Sequence, residues 1–145
     1  MPDGEQPSGL FDLTGRVACV TGASSGIMEA GHLGAGREHA MGLYIMLPFE
    51  QSANPVMADD PKLVHMKYFF TRKLMFVKES DAFAVFPGGF GTQDETFELL
   101  TLIQTGKSDM HPVVLMEAAG TNYWNEWFDF VSTLRDQGMI APDDT

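Results

Sequence analysis

The sequence predicts an α/β fold, a parallel sheet with flanking helices. Three observations carry this expectation. Short apolar runs alternate with longer amphipathic ones along the chain. Two of the apolar runs, Arg16 to Thr21 and Asp81 to Phe86, lead directly into glycine-rich turns that open helices. The connecting turns are short, which implies parallel strands with right-handed crossovers. A length of 145 residues fits one domain. The expected organisation is a flexible tail over 1–12 and a single domain over 13–145.

The elements follow in order. Arg16 to Thr21 (RVACVT) reads as a buried strand. Gly22 to Gly26 reads as a tight turn, followed by a helix to about Gly36. Met41 to Leu47 (MGLYIML) is a second strand stopped by Pro48, and Phe49 to Asp60 is a loop carrying Asn54-Pro55. Pro61 suits a first helical turn, where its missing N–H costs nothing, so a long helix is expected from Lys62 to about Glu79. Asp81 to Phe86 is a third strand, and Pro87 to Gly91 a second glycine-rich turn. Thr92 to about Thr105 is a helix closed by Gly106. Pro112 to Met116 is a fourth strand, and Asn122 to about Gln137 a last helix ended by Gly138. In such sheets ligands bind beyond the carboxyl ends of the strands.

Composition narrows the function. Twenty acidic residues against nine basic ones give a net charge of -11, which argues against nucleic acid as a partner. The charge itself reads as a solubility device. A site for an anionic ligand must therefore make its own local positive field. Cys19 is the one cysteine and sits in an apolar run, so it reads as a buried small hydrophobe in a cytoplasmic protein without an internal disulfide. His32, His39, His65 and His111 have no metal spacing with one another or with Cys19, and no metal is expected. No apolar run reaches the ~18 residues of a membrane span, and Met1 to Gly9 is too acidic for a secretory signal.

The two glycine turns carry the chemistry. Glycines after a strand let a backbone approach a phosphate, and a following helix N-terminus attracts its charge. The first turn and its lead-in, "LFDLTGRVACVTGASSGI" (Leu10 to Ile27), resemble the opening of short-chain dehydrogenases/reductases. That family has a third glycine where this chain has Met28, and a methionine there is expected to crowd the helix against the strand. The catalytic Tyr-x-x-x-Lys of that family is absent: Tyr68 is followed four places on by Arg72, Tyr44 by Pro48 and Tyr123 by Trp127. NAD(P) binding would be needed to support an oxidoreductase.

The second turn is Pro87-Gly88-Gly89-Phe90-Gly91-Thr92-Gln93-Asp94-Glu95. Its free N–H groups from Gly88 to Thr92 can point at one phosphate. Glu95 can lie on the ligand side, or it can serve as capping-box partner to Thr92, since T-x-x-E fits both. The stretch resembles the P-G-G-x-G-T-x-x-E signature of the Lonely Guy (LOG) family, long labelled possible lysine decarboxylases. The likeness extends through "GIMEAGHLGAG" (Gly26 to Gly36), "LPFEQSANP" (Leu47 to Pro55), "FFTRKLMFVKESDAFAVFPGGFGTQDETFELLTLIQTGK" (Phe69 to Lys107), "HPVVLM" and "YWNEWFDFV".

That resemblance implies a Rossmann-like sheet and a hydrolase acting on nucleoside 5'-monophosphates. Such an enzyme cleaves the N-glycosidic bond of a cytokinin riboside monophosphate or AMP to free base and ribose 5-phosphate. It implies no metal or redox cofactor, and a homodimer or higher homo-oligomer. It assigns Arg72 and Glu95 as the catalytic pair and places Gly88, Gly89, Phe90, Gly91 and Thr92 around the phosphate. Lys73 and Glu50 match further nucleotide contacts. An ordinary solvated helix face is the other reading of Arg72-Lys73. The rise of a helix from Glu79 back to Arg72, ~10 Å, leaves open whether Arg72 reaches the ligand edge of its own subunit.

The pattern departs from the family at the start. A complete member carries a further strand–helix portion before this point, so the chain is expected to lack part of the pocket. Its opening reads as a reductase strand and turn spliced to a LOG-like remainder at Gly26–Ile27. Weak or absent hydrolase activity with retained nucleotide binding follows as an expectation. A non-catalytic nucleotide-binding or oligomeric scaffold is the alternative.

Overall fold

The computed structural model describes residues 15–21, 25–45 and 56–144. The expected tail over 1–12, residues 22–24 of the first turn, Glu50 and the end of the second expected strand lie outside them. The fold is α/β, with parallel strands and helices packed on them. In chain order the elements are β1 (Ala18–Thr21), α1 (Ser25–Ala35), β2 (Gly42–Ile45), β3 (Leu63–Met66), α2 (Phe69–Glu79), β4 (Ala82–Val85), α3 (Phe90–Gln104), β5 (Val113–Leu115) and α4 (Tyr123–Asp136). A single 3-10 turn, Pro142–Asp144, follows.

Among the described residues the strands form two parallel sheets, β1-β4-β5 and β2-β3. In the first, Cys19 lies opposite Phe83 and Thr21 opposite Val85. All four of these side chains are buried, as expected where two strands turn the same face to covering helices. Cys19, Val77, Phe83 and Leu99 make the core cluster, with Phe76, Leu102, Ile103 and Val113 packed against it. Helix α2 contributes Val77 to this core and also touches β2 and β3, so it joins the two sheets.

The expected helix from Lys62 is corrected. It begins only at Phe69, and residues 63–66 are a strand paired in parallel with β2, Tyr44 opposite His65. The cause is local. The Asp60 carboxylate accepts the N–H of Lys62 at 2.9 Å, and the Asp60 carbonyl accepts that of Leu63 at 2.9 Å. This side-chain turn redirects the chain past Pro61. The open edge of β2 then takes up the run Leu63–Met66. Arg37 and the Lys62 amine close on the same carboxylate, whose side chain is 4% exposed.

Both expected glycine stops hold. Gly106 follows α3 at φ 63° and Gly138 follows α4 at φ 69°. Each is followed by an N–H returning to a carbonyl of the last turn, Lys107 to Leu102 at 2.8 Å and Met139 to Leu134 at 2.9 Å. This is the 6→1 closure that a left-handed residue permits. No helix among the described residues is long and apolar enough to cross a membrane.

Candidate active site

A cleft of about 280 Å³ opens beyond the carboxyl ends of β1 and β4. Its polar lining is Thr21, Arg72, Thr92 and Glu95, with the backbone of Gly89 and Gly91, and its apolar lining is Val20, Met28, Leu43 and Phe76. Met28 does not crowd the helix against the strand, as the sequence led us to expect. It is 42% exposed and lines the cleft, while Gly31 makes the close approach of α1 to Val20.

The second glycine turn becomes the first turn of α3. Gly89 is the N-cap, and no side chain caps the helix. The first intrahelical bond runs from Gln93 N–H to the Gly89 carbonyl at 3.1 Å. The amides of Phe90, Gly91 and Thr92 therefore have no partner within the helix. Their N–H groups form the positive end of the helix macrodipole, where an anion is favoured. A Cβ built on Gly91 would meet nothing within 4 Å, so the backbone is open on the cleft side. The Phe90 side chain is 96% exposed and stands away from it. The Gly88 carbonyl accepts the Tyr123 hydroxyl, which in turn accepts Gln93 Nε2 at 3.0 Å. Tyr123 thus ties the start of α4 to the glycine turn.

Glu95 is not a capping-box partner of Thr92. Its Oε1 accepts Arg72 Nη2 and its Oε2 accepts the Thr21 hydroxyl. The pair is largely enclosed, with side-chain exposures of 20% for Arg72 and 13% for Glu95. Arg72 and Glu95 therefore meet within one subunit. The carboxylate does the travelling: Glu95 lies five residues into α3, ~8 Å down the helix axis from its start, at the level Arg72 can reach. The guanidinium lies 5.8 Å from the Phe69 ring and 5.5 Å from the Phe76 ring. Its buried Nε has no hydrogen-bond partner, leaving one donor unused.

Lys73 points elsewhere. Its amine lies 3.0 Å from Asp94 Oδ2 and also contacts Glu98. Its pKa is raised, first by the hydrogen bond to Glu98 and then by Asp94, against an opposing effect of burial. Lys73 is not among the residues lining the cleft. Cys19 lies beneath Glu95, and burial foremost, with the Glu95 charge second, pushes its thiol up to about 12. The buried-hydrophobe reading of Cys19 holds, since the residue is 7% exposed.

Of the residues expected at the site, the structure brings Arg72, Glu95, Gly89, Gly91 and Thr92 around one cleft. It sets Gly88 and Lys73 to the side. Thr21 and Tyr123 were missed. The only signal in the sequence was a hydroxyl at the last position of a strand, at the ligand edge, and a tyrosine at the start of the helix after β5.

Known proteins bear on this arrangement. A family profile described as possible lysine decarboxylase matches residues 21–145. That match takes in the turn after β1 as well as the P-G-G stretch. Among curated proteins, the chain is 39% identical over 71 residues to the cytokinin riboside 5'-monophosphate phosphoribohydrolase LOG1 of Arabidopsis thaliana, covering 49% of this chain and 32% of that protein. LOG3 of the same plant matches at 39% over the same span. The probable phosphoribohydrolase LOGL3 of Oryza sativa subsp. japonica matches at 37% over 71 residues. The aligned stretch spans about a third of the length of these relatives. Matched over residues 21–145, the chain belongs to the possible lysine decarboxylase family, the LOG family.

Proposed function

We propose that the chain is a nucleoside 5'-monophosphate phosphoribohydrolase, releasing the base of a cytokinin riboside monophosphate or of AMP. The observation that carries this reading is the Arg72–Glu95 pair in one cleft with Gly91 and Thr92, in the first turn of α3, where the amides have no partner within the helix. The 5'-phosphate sits on the amides of Phe90, Gly91 and Thr92, with the Thr92 hydroxyl beside them. The ribose then lies over Glu95, and the base extends toward Val20, Met28, Leu43 and Phe76.

The chemistry follows from residue type. Leaving of the base builds positive charge on the ribose ring. Each oxygen of Glu95 accepts one bond and keeps a lone pair. Those lone pairs can stabilise the ring charge or orient the attacking water. Arg72 lines the same cleft as a planar, charged donor that can meet a ribose or phosphate oxygen. A cytoplasmic location and a homo-oligomer belong to the same reading, as does Glu50 as a further nucleotide contact. The reductase-like likeness of residues 10–27 enters only as a splice of sequence at Gly26–Ile27.

Incubation with AMP or isopentenyladenosine monophosphate and quantitation of free base tests this directly. The chain is expected to release base, slowly if the shortened start weakens the pocket, and Glu95→Gln to lower that rate by on the order of 10²- to 10⁴-fold while nucleotide still binds. Turnover that is indifferent to Glu95→Gln would remove the assigned role. Binding without base release by the unaltered chain would favour the scaffold reading, which shares the amide cradle.

A further inference from the structure

We propose that Thr21 is a positioning residue for the Glu95 carboxylate. The inference rests on the reading of Glu95 as the group that acts on the sugar. Thr21 is the last residue of β1 and is 9% exposed. Its backbone is pinned by pairing with Val85 and by the Phe86 N–H donating to its carbonyl at 2.9 Å. Strand alternation turns its side chain to the same face as Cys19, toward α2 and α3. There its hydroxyl donates to Glu95 Oε2, while Arg72 donates to Oε1.

Two donors from two separate elements thus hold the two oxygens of one carboxylate. Arg72 alone leaves the carboxylate plane free to swing about its terminal torsion, which is broad for Glu. The hydroxyl fixes that plane without adding a second charge, so the pair keeps its electrostatic balance. The Thr21 hydroxyl is spent on Glu95 rather than on the cleft. Its loss should act on the rate through Glu95 and leave binding alone.

The test compares Thr21→Val, Thr21→Ser and Thr21→Val in a Glu95→Gln background, with steady-state base release from AMP and thermal unfolding. Thr21→Val is expected to lower kcat about 10- to 100-fold with KM within about twofold. Thr21→Ser, which restores the donor, should recover most of the rate, and Thr21→Val should add nothing to Glu95→Gln. Wild-type kcat in Thr21→Val, or an equal loss in the Glu95→Gln background, overturns the proposal. If Thr21→Val does not fold, Thr21→Ala, smaller than threonine, replaces it. A second readout needs no turnover: the side-chain carboxyl ¹³C resonance of Glu95 should move in Thr21→Val and stay near its place in Thr21→Ser. Should the unaltered chain release no base, a moved resonance leaves the positioning intact and only the enzymatic reading falls. An unmoved resonance sinks the positioning whatever the activity.

Discussion

Asp60 shows how a single side chain redirected a stretch of fold. Its carboxylate is held down to about 2 from 3.8, first by the N–H of Lys62, then by the Lys62 amine, with Arg37 adding to both. A carboxylate whose folded pKa is depressed contributes stability that is full above its unfolded value. That contribution fades as pH falls from about 4 toward about 2. The thermal midpoint of the chain should therefore exceed that of Asp60→Asn at pH 6, and the gap should shrink below about pH 4. A gap independent of pH would mean that the carboxylate charge plays no part in the turn. At the candidate site, the sequence singled out Arg72 and Glu95 but not Thr21 beside them. Glu95 stood out in the sequence because T-x-x-E follows a glycine turn. Thr21 did not, because its partner is 74 residues away and only the fold brings the two together.

At the scale of elements, α2 and α3 carry the site between them. Lys73 sits next to Arg72 on α2, and its partners Asp94 and Glu98 flank Glu95 on α3. The Lys73 clamp therefore sets the register in which Arg72 meets Glu95. Lys73→Met should lower stability by about 1 kcal/mol, since the amine is mostly enclosed but Asp94 is largely solvated. Its kcat should fall more than KM rises. Lys78→Met, on the same helix but 70% exposed, serves as control and should change neither, read by thermal melts and base release. The resemblance to other proteins proposed Lys73 as a nucleotide contact, and here its amine is occupied by two carboxylates.

The helix expected from Lys62 failed for a reason that belongs to this scale. The run from Leu63 to Val77 has apolar residues on every face, so periodicity could not divide it. A four-residue strand is specified by its partner, and β2 lies about twenty residues earlier. The strands and helices beyond Asp81 were legible because glycine turns and stops bound them on both sides. The capping role left open for Glu95 could not be decided locally either. It depended on whether the helix began at Thr92 or, as found, at Phe90.

For the whole molecule, the core cluster of buried residues joins β1, α2, β4 and α3 beneath the candidate cleft. Cys19 reports on that region. With its thiol pushed up to about 12 chiefly by burial, it should be silent to a thiol reagent at pH 8 in the folded protein and react at once in denaturant. AMP at saturating concentration should slow whatever residual reaction occurs, because a ligand that binds only the folded state reduces opening. Prompt modification of the native chain would show that β1 is not held as described. With a formal net charge of -11, the molecule as a whole repels anions, so on the proposed reading attraction of a nucleotide falls to the amides at the start of α3.

The most direct measurement is a crystal structure of Glu95→Gln with AMP bound. The phosphate oxygens should lie about 3 Å from the amides of Gly91 and Thr92, with the anomeric carbon facing Gln at position 95 and the Arg72 guanidinium. AMP bound with its phosphate away from those amides, or its glycosidic bond out of reach of position 95, would contradict the assignment of this cleft.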